Sequence, residues 1–277
     1  MSIRDRFFAD PRLHRLIDIA LERNTDLRTA ALNAEIYRKQ YMIARNDLLP
    51  SINASGTGTR TGSLSGGVTR SEYSVGLGVA AYELDLFGRV RSNSQAALQG
   101  YFSVAANRDA AHLALIAAVA KAHFNELYAQ ESMALAQRVL KTREATYKLS
   151  QMRHKAGVIS AVDLRQQEAL IESAKADYAN AVKNREQARN ALATLINQPL
   201  PEDLPAALPL SKQFKITRLP AGLSSEVLLN RPDIRAAEHS LKQANANIGA
   251  ARAAFFPTIS LTGSVGTASG ELSGLFK

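Results

Sequence analysis

The sequence predicts an α+β chain in which long antiparallel helices dominate and amphipathic strands form a minor part. Three observations carry that prediction. From Ser92 to His154 the chain runs 63 residues without a proline, with Gly100 as the one glycine, which at 1.5 Å per residue is a helix of roughly 95 Å. Two segments that follow prolines alternate apolar and small polar residues with the period of a strand. The chain also repeats itself: Asp26–Gly56 and Asp233–Gly263 align without gaps at an offset of 207, with eight of 31 positions identical, the mark of a duplicated helix-to-strand unit.

The first repeat occupies residues 1–198. It opens with a helix over 12–48, rich in Ala, Gln, Arg and Lys, which must stop before Pro50 because proline cannot continue the hydrogen-bond ladder. A strand over 51–60 follows, with Ile52, Ala54, Gly56 and Gly58 alternating against Ser51, Asn53, Ser55, Thr57 and Thr59. The Gly/Ser-rich loop TGSLSGG leads to a second strand over 73–87, with Tyr73, Val75, Leu77, Val79 and Ala81 on one face. Its end reads YELDLFGRVRS: Glu83 and Asp85 share one side of the alternation, Gly88 permits a sharp turn, and Arg89 and Arg91 are available to pair with the acids.

A helical hairpin over 89–197 comes next, with its tip at 155–160, KAGVIS. Apolar positions 113, 116, 117, 120, 124, 127 and 128 give its first helix a stripe. Gly157 suits a C-terminal cap and Ser160 an N-cap. In the second helix Ile171, Ala174, Tyr178, Ala181, Arg185, Ala188, Leu192 and Leu195 keep the spacing of a coiled-coil seam, interrupted at Arg185. A connector over 199–223 holds five prolines in its first 22 residues and suits neither helix nor central strand. The second repeat starts at 224 with a helix over 224–255, Pro257, and a strand over 258–267, and is truncated before a returning strand and second hairpin.

Composition limits the chemistry. Without cysteine there is no thiolate or disulfide. The net charge of +9 is partly local, since Arg138–Lys155 carries six basic residues against Glu144. Nucleic-acid binding would call for stacking aromatics there, and Tyr147 stands alone. No run is apolar enough for a membrane helix, and the first residues, MSIRDRFFADPRLHRLI, hold no secretory apolar segment or small-residue cleavage site. The strands have the length of transmembrane β-strands, about nine to eleven residues, although such segments also suit a soluble hairpin. Glu83 and Asp85 lack the pocket that an acid/base pair requires. His123 and Glu126 are three apart on a helix without a third ligand, so His123 reads as a surface or interface histidine, and His14, His112, His154 and His239 are isolated. The expectation is no metal and no cofactor.

Five collinear segments carry a resemblance: FFADPRLHRLIDIALERNTDLRTAALN, ARNDLLPSI, YELDLFGRVRS, RHKAGVISAVDL and LLNRPDIRAAE. With the duplication, they resemble the outer-membrane channel subunits of tripartite efflux pumps that work with resistance-nodulation-division transporters, the NodT-type outer-membrane efflux lipoproteins. The resemblance implies an α+β membrane protein: a homotrimer whose long helical hairpins form a periplasmic α-barrel and whose strands, four per protomer, form a twelve-stranded transmembrane β-barrel set in outer-membrane lipid. It implies a passive conduit rather than an enzyme, with a periplasmic adaptor protein and an inner-membrane transporter as partners and no nucleic acid. Most of the mass would lie in the periplasm. Family members carry an export signal and usually a lipidated cysteine, both expected to be missing here, and the chain matches only part of a protomer.

By spacing, Arg153, Gly157 and Asp163 match the family's hairpin tip. There the resemblance implies a gate network for Asp163, and adaptor docking for Arg153, Lys155, Gly157, Val158 and Ser160. For Asp163 a simple role in the first turn of a helix also fits. Glu83, Asp85, Gly88, Arg89 and Arg91 are expected to build the strand-to-helix corner, and Pro50 and Pro257 the helix-to-strand transitions. A duct for type I protein secretion shares this architecture. Readings of other kinds are a soluble coiled-coil scaffold with a basic binding face, which has no need of duplicated amphipathic strands, and a hydrolase using Glu83 and Asp85.

Overall fold

The computed structural model describes residues 7–62, 69–216, 222 and 224–276. Most of the TGSLSGG loop and the end of the connector lie outside them. Two units make up the chain, one of residues 1–30 and 108–227, the other of 31–107 and 228–277.

In the first unit, helix α1 (Pro11–Arg23) starts where Asp10 accepts a hydrogen bond from the Arg12 amide at 2.9 Å. Pro11 occupies the first turn, where its missing N–H costs nothing. Leu13, Leu16, Ile17, Ile19 and Ala20 of α1 pack against Leu115, Val119 and Ala120 of α3 (Arg89–Lys155) and Leu192 and Ile196 of α4 (Ala161–Ile196). Each fully buried Leu or Ile contributes about 1.5–3 kcal/mol, so this cluster anchors the unit. Helices α3 and α4 run antiparallel: Ala120 shares the core with Ile196, while nearer the turn Glu144 acts on Lys175 and Tyr147 on Arg165. Along α4 the seam holds the inward residues, from Ile171 and Ala174 to Leu192. Asn197 closes the helix in the left-handed conformation, φ 52°.

In the second unit, strands β1 (Ile52–Thr61), β2 (Arg70–Glu83) and β3 (Ser260–Ser269) form one antiparallel sheet in the order β1-β2-β3. The register pairs Ala54 with Leu77 and Leu77 with Val265, so Ile52, Ala54, Val75, Leu77, Val79 and Val265 share a face. Ser74, Gly76, Gly78, Ser264 and Gly266 line the other. There the backbones approach closely: a Cβ on Gly266 would stand 2.6 Å from the Val75 carbonyl oxygen. A bulge between Val79 and Tyr82 shifts the alternation by one and brings Tyr82 opposite Leu261, back on the apolar face. Helix α5 (Pro232–Ala253) packs on the first turns of α3, where Ser103 Oγ donates to the Ala236 carbonyl at 3.0 Å and His239 Nδ1 lies 2.7 Å from Gln99 Oε1.

The repeat is visible in the backbone. After α2 (Thr25–Asn46), the amides of Leu48 and Leu49 bond the carbonyls of Arg45 and Asn46; after α5, those of Phe255 and Phe256 bond Arg252 and Ala253. Each tight turn delivers the chain to its proline, Pro50 or Pro257.

Several sequence expectations need correction. The helix over 12–48 is two helices: Asn24 is extended, its Oδ1 accepts from the Leu27 amide and its Nδ2 donates to the Leu195 carbonyl at 3.0 Å. The second strand spans 70–83 rather than 73–87, since Leu86 N–H bonds the Leu84 carbonyl in a turn; Asp85 therefore leaves the strand that Glu83 ends. The helix over 224–255 begins only at Pro232, after a short 3-10 turn over Ser225–Asn230, because a residue before proline is held out of the helical region and Arg231 is extended. The last strand is displaced by two residues, to 260–269. The stripe on α3 is also turned: Leu113 and Tyr128 are exposed, and His123, read as a surface or interface residue, is wholly buried. Among the described residues, no helix is long and apolar enough to cross a membrane.

Candidate functional site

The corner after β2 is built by side chains on both sides of Gly88. With φ at 79°, Gly88 adopts a backbone conformation that L side chains resist. Arg89 Nε donates to Glu83 Oε1 at 2.8 Å, and its Nη2 donates to Oε2. Asp85 takes the amides of Val90 and Arg91 at 2.9 and 3.0 Å, so it caps the N-terminus of α3, and Arg91 Nε donates to it at 2.9 Å. Burial pushes the Asp85 carboxyl up, but the amides of Arg91 and Val90 and the Arg91 side chain outweigh it and hold it below the usual carboxylate range. The Phe87 and Phe256 rings stack at 4.5 Å, and Tyr82 Oη donates to the Leu48 carbonyl at 3.0 Å. Both acids are spent on this bracing, which leaves no free acid/base pair.

The hairpin tip is made by backbone and caps. The Val158 amide donates to the Arg153 carbonyl and the Gly157 amide to His154, both at 2.9 Å, with Gly157 at φ 72°. His154 Nδ1 lies 3.0 Å from the Ile159 carbonyl, which can only accept, so Nδ1–H donates. Ser160 and Asp163 form a reciprocal capping box: the Asp163 amide donates to Ser160 Oγ at 3.1 Å, and the Ser160 amide and hydroxyl donate to Asp163 Oδ2 at 3.1 and 2.7 Å. The Ser160 hydroxyl and then its amide hold the Asp163 carboxyl below its ordinary range. Arg153 and Lys155 are exposed and have no ion pair among the described residues, while Met152, Val158 and Val162 stand more than half exposed beside them.

The structure thus groups Arg153, Lys155, Gly157, Val158, Ser160 and Asp163 at one turn, and Glu83, Asp85, Gly88, Arg89 and Arg91 at another. Pro50 and Pro257 each follow a repeat-related turn.

Sequence reasoning missed a third constellation. Asp10, fully buried, receives His123 Nε2 at 3.1 Å, Gln213 Nε2 at 2.9 Å and the Leu208 amide at 3.1 Å. Arg12 Nη2 donates to both carboxylate oxygens of Glu126, at 3.1 and 3.2 Å. One polar cluster therefore binds α1, α3 and the connector. Burial raises the Asp10 carboxyl, but hydrogen bonds from Gln213, His123 and the amides of Arg12 and Leu208 hold it low; Glu126 is likewise held low against burial by His123 and Arg12. The available signal was Asp10-Pro11, an N-cap followed by a first-turn proline. Among the described residues, no group of three or more His, Asp or Glu is arranged to hold a metal ion.

Comparison with known proteins follows the same architecture. The family model described as "Outer membrane efflux protein" matches residues 16–198 and 223–277. The probable efflux pump outer membrane protein TtgC of Pseudomonas putida is 45% identical over 98% of this chain and 57% of its own length. Outer membrane protein OprJ of Pseudomonas aeruginosa is 43% identical over 98% of this chain and 58% of its own. The crystal structure of the open state of the Neisseria gonorrhoeae MtrE outer membrane channel superposes with a TM-score of 0.90 at 72% identity, covering 98% of this chain and 61% of that one. The chain spans less than two thirds of the length of each of these relatives.

Proposed function

The chain belongs to the outer membrane efflux protein family, and from that premise we propose that it forms part of a passive outer-membrane conduit that exports drugs and other toxic compounds from the periplasm. The observation that carries this reading is the sheet. Its apolar face is exposed, with Ile52 at 71%, Leu77 at 52% and Val265 at 74%, its other face is small and polar, and among the described residues β1 and β3 each pair on one side only. A sheet with an exposed apolar face, a small polar face and two edges unpaired among the described residues suits lipid outside and water inside, once further strands close it. Exposed apolar residues on α2 and α5, including Leu32, Ile36, Ile43 and Leu241, support assembly with further copies as a homotrimer.

The hairpin tip is the proposed contact for a periplasmic adaptor that bridges to an inner-membrane transporter. Arg153, Lys155 and Val158 offer charge and apolar surface, while Gly157 and Ser160 set the turn. Asp163 caps α4 and contributes to the gate through its carboxylate. The test is direct: the protein extracted from cells should fractionate with the outer membrane, migrate in detergent at three times the protomer mass, and raise export of amphiphilic toxic compounds when adaptor and pump are present. A water-soluble monomer would sink the reading. For the gate, Asp163→Ala should raise single-channel conductance in a planar bilayer; unchanged conductance removes that role.

A further inference from the structure

The repeated tight turns before Pro50 and Pro257 share a chemistry that the conduit reading leaves unused. Each carries the same arginine, Arg45 or Arg252, in the last turn of a helix, followed by two apolar residues, Leu48-Leu49 or Phe255-Phe256. The backbone bonds are the same at both places, with residue 48 on 45 and 49 on 46, and 255 on 252 and 256 on 253. Leu49 is 69% exposed and Phe255 89% exposed. Both arginines are exposed, and neither has an ion pair among the described residues. Arg89 and Arg91 at the neighbouring corner are, by contrast, taken by Glu83 and Asp85. The acid in the first turn, Asp47, acts on Arg89; its counterpart in the second is Ala254.

In the first copy these residues line a groove of about 520 Å³, walled by Met42, Leu48 and Leu49 and carrying Arg45 and Asn46. That volume falls in the range of small-ligand sites, about 300–1,000 Å³. An apolar wall with one unneutralised guanidinium and one amide fits an amphiphile with an anionic, multiply accepting head, since a guanidinium can bind two phosphate oxygens at once. Leu49 of the groove is followed three residues on by Ile52, the first residue of the sheet's apolar face, so along the chain the groove leads to the surface that the conduit reading sets in lipid. A free solute has no need of that continuity, whereas an acyl chain would follow it.

We propose that the two turns are a duplicated binding site for anionic phospholipid of the periplasmic leaflet, Arg45 and Arg252 taking the phosphate and Leu49 and Phe255 taking the upper acyl chains. This rests on the outer-membrane reading above. It would set the depth of the protein twice per protomer, at the two places where helix becomes strand.

The test uses the protein purified from cells and delipidated, titrated by native mass spectrometry with phosphatidylglycerol, with phosphatidylcholine of the same acyl chains, or with inorganic phosphate alone. Phosphatidylglycerol should bind in preference to phosphatidylcholine. Each of Arg45→Gln and Arg252→Gln should lower its affinity about fivefold, the effect of about 1 kcal/mol per basic residue near an anionic surface. Leu49→Ser with Phe255→Ser should weaken both lipids while leaving the head-group preference. Equal phosphatidylglycerol binding by wild type and the Arg45→Gln, Arg252→Gln double variant overturns the site, and so does inorganic phosphate occupying it as well as the lipid does. Outer-membrane fractionation and detergent mass, measured on the same preparations, separate this failure from failure of the conduit reading: a trimer in the outer membrane without lipid preference sinks only the lipid site.

Discussion

The hairpin tip and the strand-to-helix corner solve the same problem with opposite use of charge. Both reverse or redirect the chain at a glycine of positive φ, and both set an aspartate at the start of the helix that follows. At the corner, Glu83 and Asp85 are matched by Arg89 and Arg91, and an aromatic stack closes the bend. At the tip the backbone and the Ser160–Asp163 box complete the turn, so Arg153 and Lys155 are left to solvent. The corner keeps its charge for itself and reads as scaffold. The tip keeps its charge outward, as the proposed docking surface requires.

The largest expected effect tests the corner. Asp85→Ala removes the cap of α3 and the partner of Arg91, and should cost about 1–2 kcal/mol, read as a lowered melting midpoint of the detergent-solubilised protein. Asp163→Ala should lower it less; an equal loss would erase the distinction.

Next come the glycines. Gly88→Ala and Gly157→Ala should each cost about 1 kcal/mol, because both force a left-handed backbone on a residue with a Cβ. Similar midpoint shifts would show that the two turns share a backbone requirement and differ in their side chains, whereas a neutral Gly157→Ala would break the parallel.

Acid gives a smaller effect with a defined sign. The folded Asp85 carboxyl sits below its unfolded value of 3.8, so its contribution is complete above that value and is lost as pH falls through the lower folded one. The midpoint advantage of wild type over Asp85→Asn should therefore hold from neutral pH down to the unfolded value of 3.8 and shrink as the pH falls below it. An advantage that grows with acid contradicts the bracing described.

The smallest effect on stability belongs to Arg153→Ala with Lys155→Ala, within about 0.5 kcal/mol. The same variant should lose adaptor capture in a pull-down from the periplasm. A clear drop in melting midpoint with capture intact would move these residues from the proposed docking surface to the scaffold.

What the sequence made legible was local. Gly157, Ser160 and Asp163 lie within seven positions of one another, and their caps follow from residue type alone. The strand faces were legible because alternation survives without knowledge of the partner strand. One boundary was written in the sequence and misread, Arg231-Pro232, which announces a helix start; Asp10-Pro11 announces another, and the start expected at 12 falls one residue from it. The break at Asn24 was not legible, since its amide needs the Leu195 carbonyl, 171 positions away. Nor was the burial of His123 and Glu126, because polar residues inside an apolar stripe look like its edge until Asp10 and Arg12 arrive to pair with them.

The Asp10–Gln213 bond joins residues 203 positions apart, on either side of the whole first hairpin. Synthesis and folding order follow from that separation. Asp10 emerges first, with the Arg12 amide two residues away and His123 on α3 still ahead of the connector among its partners, and Gln213 emerges last. An open loop of that length is entropically expensive to close, but α3 folding back on α4 brings the ends together beforehand. A hairpin in register is what sets Gln213 beside Asp10, so this one carboxylate reads the register of the repeat it belongs to.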